Sequence, residues 1–221
     1  MSYQLILRQI LECSIDQAGR RERLRIQLDK AFILRFQNNE RMLKKLDFIT
    51  PTLLKVLYLF HEDPAQEIHE REVARRARVS EGSANRVLRL LSEVKVLQRS
   101  RKGRMVFYRF NSKNAVARQF KVLFNVYSLN ALVEQIRNSS KKIILFGSCS
   151  EGTDARESDV DLFILTNEKD KVRSSISDYQ QRILKRISPI VVNSNEFVKL
   201  KKEDKPLYER ILKGVTLWES E

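Results

Sequence analysis

The stretch Lys142–Leu165, KIILFGSCSEGTDARESDVDLFIL, gathers the residue types best suited to chemistry. An apolar strand, Ile143–Phe146, runs into Gly147-Ser148, and a loop holding Gly152 follows. Ser158-Asp159-Val160-Asp161 then opens a second apolar strand, Leu162–Leu165. A glycine at 147 lets the backbone approach a phosphate closely, and the neighbouring N–H groups and the Ser148 hydroxyl can donate to phosphate oxygens. A helix starting there would add a field favourable to an anion. Asp159 and Asp161 are two apart on a strand, so their carboxylates point to the same side. Paired hard oxygen ligands are what Mg²⁺ on a triphosphate needs. Metals held in this way would polarise the α-phosphate and stabilise leaving pyrophosphate.

This arrangement resembles the nucleotidyltransferase signature of the DNA polymerase beta superfamily: Gly-Ser, a spacer, then Asp-x-Asp with hydrophobic flanks. The length is similar to that of the minimal nucleotidyltransferases of archaea and bacteria. The matching positions are Gly147, Ser148, Gly152, Ser158, Asp159 and Asp161, and the resemblance covers about residues 140–218. It implies that Gly147, Ser148 and Ser158 bind nucleotide phosphates. It also implies that Asp159 and Asp161 are the metal-binding, catalytic pair, with Mg²⁺ or Mn²⁺ as cofactor. A nucleoside triphosphate would be the substrate, giving its monophosphate to an acceptor hydroxyl. One departure bears on activity. Active members usually carry a third carboxylate on a later strand, and the corresponding strand here, Arg186–Asn193, contains no acid. Ser188, Pro189 or Asn193 would occupy that neighbourhood, and none acts as a base at neutral pH. Glu196 lies just beyond and is the nearby candidate for that acid, its other reading being an ordinary first-turn glutamate of a helix over Asn195–Lys201. Cys149 has no adjoining His or Lys and reads as a small loop residue.

The elements that position this stretch are legible in outline. Ala115–Asn138 reads as a helix, with Val122, Leu123, Val126, Leu129, Leu132, Val133 and Ile136 at helical spacing. Beyond it the pattern alternates between strand and helix, the mark of an α/β domain. Upstream, Thr50-Pro51 starts a helix that His61–Pro64 ends. A second helix is expected at about Ile68–Ala77, and a third from the N-cap Ser80 to about Val94. Val96–Ser100 and Met105–Asn111 alternate like strands around Arg101-Lys102-Gly103-Arg104.

Charge is concentrated on the same segment. The chain holds 42 Lys/Arg against 28 Asp/Glu, a net +14, and Arg71–Arg109 alone holds 12 against 3. A localised basic patch is the electrostatic footprint of a polyanion partner. The segment EIHEREVARRARVSEGSANRVLRLLSEVKVLQRSRKGRMVFYRFN resembles the winged helix-turn-helix module of prokaryotic transcriptional regulators, over roughly residues 50–112. The resemblance implies double-stranded DNA as partner, a recognition helix at Ser80–Val94 and a wing at Arg101–Arg109. Ser83, Asn85, Arg86 and Arg89 would face the bases, and Arg101, Lys102 and Arg104 the phosphates.

With 221 residues, 42% of them apolar, the chain can bury real cores. No run approaches the roughly 20 apolar residues of a membrane span, and Met1–Leu11 lacks a secretory cleavage pattern. Two distant cysteines, Cys13 and Cys149, support neither a disulfide scaffold nor a zinc site. A cytoplasmic protein without membrane contact is expected. The expected architecture is a two-domain α/β (α+β) chain. An amphipathic helical arm at 1–48 precedes a winged module at 49–112, a connecting helix at 113–139 and a nucleotidyltransferase-type mixed sheet with flanking helices at 140–221. Leu24, Leu28, Phe32 and Phe36 recur every fourth residue in the arm. Such a stripe packs on its own chain or makes a homodimer. His61 and His69 read as surface residues, and Trp218 as packing the terminal segment onto the domain. The leading expectation is a DNA-binding protein with an active nucleotidyltransferase domain; the alternatives are a regulator whose transferase domain senses nucleotide without turnover, and an antitoxin-type enzyme that modifies a toxin-like protein partner.

Overall fold

Proline at a first helical position sacrifices no hydrogen bond, and Pro51 opens α1, Pro51–Glu62, in the computed structural model, which describes residues 49–220. The arm expected at 1–48 lies outside the described residues. Leu53, Val56, Leu57 and Phe60 of α1 are fully buried. Ile68–His69, expected to begin the next helix, instead form a short strand, β1. His69 explains the difference: its Nδ1 accepts the Arg71 N–H at 3.3 Å as N-cap of α2, Glu70–Ala77. An N-cap holds extended backbone, which frees the preceding residue for sheet pairing.

Helix α3, Glu81–Glu93, starts at the expected cap, Ser80, whose side chain accepts the Ser83 N–H at 3.2 Å. It buries Ala84, Val87, Leu88 and Leu91. Strands β2, Leu97–Lys102, and β3, Met105–Phe110, meet at Gly103-Arg104 and form with β1 an antiparallel sheet of order β1-β3-β2.

Asn114 caps α4, Ala115–Ile136, and a 3-10 turn at Arg137–Ser139 leads into β4, Lys142–Phe146. A single helical turn, α5, Ser148–Glu151, and a loop precede β5, Val160–Leu165. Then come α6, Lys169–Gln180, β6, Ile187–Val192, α7, Ser194–Glu203, α8, Lys205–Leu212, and β7, Val215–Glu219. The second sheet has the order β6-β5-β4-β7. β4 runs antiparallel to both neighbours, while β5 and β6 are parallel, joined through α6 as parallel strands require. Pro189 is tolerated because β6 is an edge strand.

Alternation along the strands divides the sheet into two apolar faces. Ile143, Leu145, Val160, Leu162, Ile164 and Ile187 pack under Leu129, Leu132, Val133 and Ile136 of α4 and Val172, Ile176 and Tyr179 of α6. Ile144, Phe146 and Phe163 face the other way, against Ile211 of α8 and Phe197 and Leu200 of α7. The architecture is thus mixed α/β with helices and two sheets. Among the described residues no helix is long and apolar enough to cross a membrane.

Candidate nucleotide site

The turn after β4 is built around Gly147, which holds φ +69°. A β-carbon there would collide with Oδ2 of Asp161, so the carboxylate lies directly against the glycine backbone. Only glycine reconciles that conformation with that approach. Gly147→Ala is expected to lower the thermal midpoint by several degrees. With ψ −157° this backbone lies in a region open essentially to glycine alone and costs another residue about 1–3 kcal/mol, and about 1 kcal/mol shifts a domain of this size by roughly 2–4 °C. Calorimetry of the variant checks this, and an unchanged midpoint would mean that the turn relaxes freely.

The Ser148 hydroxyl starts α5 with no hydrogen-bond partner among the described residues. The helix expected to favour an anion is only one turn long, so its dipole adds little beyond the local N–H groups. Asp161 lies in β5, on the sheet face of Phe146 and Phe163, and Asp159 immediately precedes the strand. Burial raises the Asp161 pKa above the usual carboxylate range. The Arg210 guanidinium opposes that rise and the Asp159 charge adds to it. Arg210, on α8, also lies 5.6 Å from the centroid of the Phe146 ring. Sequence reasoning missed this cation, whose only signal was its place in the last turn of a short helix.

Ser158 takes a different position from Ser148. Its Oγ accepts the Ala155 N–H at 2.9 Å and fixes the turn that delivers Asp159. The register pairs Asp161 with Ser188 on β6, so a serine stands beside the paired aspartates. Glu196 is engaged elsewhere: it completes a capping box with Asn193 and pairs with Lys169, which holds its carboxyl below the ordinary range. Among the described residues no three His, Cys, Asp or Glu side chains gather into a metal-binding cluster. Two carboxylates fit one hard divalent ion whose other ligands come from a triphosphate. A second ion would lack a protein carboxylate at Ser188.

Behind this turn lies a buried ionic cluster. Asp154, between Gly152 and Ser158, is 2% exposed and receives Lys185 Nζ on Oδ2. Lys121 of α4, 1% exposed, lies 3.2 Å from the same oxygen and also donates to the Asp154 carbonyl. Asn125 Nδ2 donates to Asp154 Oδ1 at 3.0 Å and to the Cys149 carbonyl at 2.9 Å. Burial would raise Asp154, but Lys185 and Lys121 hold it below the usual carboxylate range. Gly152, at φ +69°, packs against the Arg118 carbonyl so closely that a β-carbon would clash. Helix α4 therefore anchors the loop that presents Asp159 and Asp161. Cys149, fully buried with its thiol pushed up to about 12 chiefly by burial, is inert packing at neutral pH.

The basic surface is arranged as follows. Arg86 and Arg89 are exposed on α3, opposite its buried side, with Asn85 half-buried. Ser83 is exposed and tied into the cap, its Oγ 2.9 Å from that of Ser80. Arg101 and Arg104 are exposed around the β2–β3 turn, the Arg101 Nε donating to the Gly103 carbonyl at 3.2 Å. Lys102 pairs with Glu67 and lies 5.3 Å from the Phe107 ring centroid, so its charge is partly neutralised.

Residues 130–221 match the family described as Polymerase beta, Nucleotidyltransferase. No curated protein matches the chain. Among solved structures, a possible transcriptional regulator from Methanosarcina mazei Go1 is 20% identical, over 45% of this chain and 86% of its own, at a TM-score of 0.32. The YusO protein from Bacillus subtilis is 15% identical, over 48% and 77%, at 0.30. NadR, solved in complex with 4-hydroxyphenylacetate, is 16% identical, over 54% and 82%, at 0.33. The similarity to the nucleotidyltransferase family is thus confined to the C-terminal part of the chain, which holds the Gly147 turn and Asp161.

Proposed function

We propose that this chain is a DNA-binding regulator whose nucleotidyltransferase-type domain takes up a nucleoside triphosphate with one divalent ion, without efficient turnover. The observation that carries this reading is the pairing of Asp161 with Ser188. The Gly147-Ser148 turn and two aspartates supply a phosphate cradle and a ligand pair, while the neighbouring strand supplies no base. Ser148 would donate to phosphate oxygens, and Asp159 and Asp161 would hold the ion, Mg²⁺ or Mn²⁺. When bound, that ion neutralises phosphate charge and polarises phosphorus–oxygen bonds. A second reading, transfer of the nucleoside monophosphate to an acceptor hydroxyl, is favoured by the intact Asp-x-Asp pair. Equilibrium binding of α-labelled triphosphates, with labelling of acceptors in a lysate, separates the two. Expected are binding that Asp161→Ala abolishes and no transferred label. Label transfer lost in Asp161→Ala would establish the enzyme, and no triphosphate binding would sink both readings.

For DNA, the winged helix-turn-helix reading places α3 as the recognition helix and the β2–β3 turn as the wing. Exposed Arg86 and Arg89 and the exposed Arg101 and Arg104 support it. Arg86→Ala is expected to weaken binding to a preferred duplex by about 1–3 kcal/mol and to relax base preference. Fluorescence anisotropy with selected and scrambled duplexes measures both. Equal affinities for variant and parent would remove α3 from the base-reading role. Because Glu67 already pairs with Lys102, Lys102→Ala should change the salt dependence less than Arg104→Ala.

A further inference from the structure

Away from the Gly147 turn, α1, the end of α2 and α4 enclose a half-open groove of about 760 Å³. This is the volume of a small-molecule site, and the walls are mostly apolar with a few polar groups, as such sites are. Tyr58, Leu123 and Tyr127 line it while remaining 45%, 52% and 77% exposed. Large apolar side chains left this open on one concave surface mark a place for a ligand. The wall is stiffened by an edge-on contact between Tyr58 and Phe124, centroids 5.5 Å apart.

The charge of the groove has one sign. Lys55, Arg76 and Arg78 lie on its lining and, among the described residues, no acidic residue does. Arg76 donates to a neutral partner, Gln66 Oε1, at 3.1 Å, and none of the three forms an ion pair among the described residues. Arg78 holds a left-handed backbone, φ +53°, a conformation that disfavours any residue with a side chain.

We infer that this groove binds a small amphipathic anion, an aromatic or aliphatic body ending in a carboxylate. Aromatic and leucine walls would bury the body, and the arginine forks would receive the carboxylate in paired hydrogen bonds. A nucleic-acid backbone, polar throughout, has no use for the apolar walls. The inference depends on neither the nucleotide nor the DNA reading.

The test titrates the full chain with 8-anilinonaphthalene-1-sulfonate and follows its displacement by fluorescence. The competitors are decanoate, 4-phenylbutyrate and their alcohols, decan-1-ol and 4-phenylbutan-1-ol. Saturable one-to-one binding is expected, with each carboxylate displacing the dye at least tenfold better than its alcohol. The double change Lys55→Ala and Arg78→Ala should bring carboxylate and alcohol within threefold of each other. Leu123→Glu should weaken carboxylate binding more than tenfold. All three side chains are exposed, so the variants should fold, and circular dichroism melting checks that they do. No saturable binding, equal displacement by carboxylate and alcohol, or unaltered binding in both variants would overturn the inference. Displacement by a DNA duplex instead of the carboxylates would also overturn it, giving the groove to nucleic acid.

Discussion

Asp154→Ala is expected to lower the free energy of unfolding by about 3–5 kcal/mol, the cost of removing one partner from a buried ion pair. The residue left behind is Lys121, whose side chain is 1% exposed and has no route to water without moving α4 or the loop. Asn125 would lose one acceptor at the same time. Lys185 is 14% exposed and nearer solvent, so Lys185→Met should cost far less than Asp154→Ala. The double variant Asp154→Ala, Lys121→Met removes both buried charges and should recover at least half of the loss, because an apolar replacement of a whole pair is close to neutral. Urea unfolding of the three variants measures these differences. A loss below about 1 kcal/mol for Asp154→Ala would mean that Lys121 reaches water and that the cluster does not anchor the loop. Because the loop carries Ser158 and leads to Asp159, a loosened anchor should, on the proposed nucleotide-binding reading, weaken triphosphate binding as well as stability.

The strand–turn–strand framework of the candidate site was legible because it is contiguous: Gly147, Ser148, Asp159 and Asp161 lie within one segment, and the apolar runs on either side fix the strands. The register of β6, which no local pattern specifies, sets Ser188 opposite Asp161. Glu196 read correctly as a helix-start residue, since capping is a local interaction. The ionic cluster was hidden because its partners are far apart in sequence and meet only when α4 packs on the loop. A signal did exist. Lys121 and Asn125 fall on the buried stripe of α4 with Ala117, Phe124 and Leu132, where a charge or an amide needs a partner. Glu67, which neutralises Lys102, was hidden likewise, since it reaches the hairpin only through tertiary packing.

The sequence reading of His61 as a surface residue fails most clearly, and its correction carries a pH dependence. At the end of α1 the ring lies 5.5 Å from Tyr58 and 5.3 Å from Phe124 of α4, and it is 8% exposed. Among the described residues neither ring nitrogen has a hydrogen-bond partner. Burial first, then the charges of Lys121 and Lys185, lower its pKa from 6.5 to about 4, with Asp154 opposing them. Above pH 6.5 the ring is neutral in both folded and unfolded chains and contributes no pH dependence. As pH falls from 6.5 towards 4 the unfolded chain takes up a proton that the folded chain refuses, so stability falls by up to about 1.4 kcal/mol per unit. The accumulated loss is about 3 kcal/mol at pH 4 and levels off below it. Asp154 acts at the lower end: its contribution starts to be lost as pH falls through the ordinary carboxylate range, where the unfolded chain takes up the proton, and goes on falling to its lowered folded value, equally in the parent and in a His61 variant. His61→Phe keeps an aromatic ring against Tyr58 and Phe124 and removes the titration. Between pH 6.5 and 4.5 the variant should lose about 2–3 kcal/mol less than the parent in urea unfolding. Parallel losses in the two proteins across that interval would show that His61 reaches solvent in the folded chain and that the seam between α1 and α4 is not closed around it.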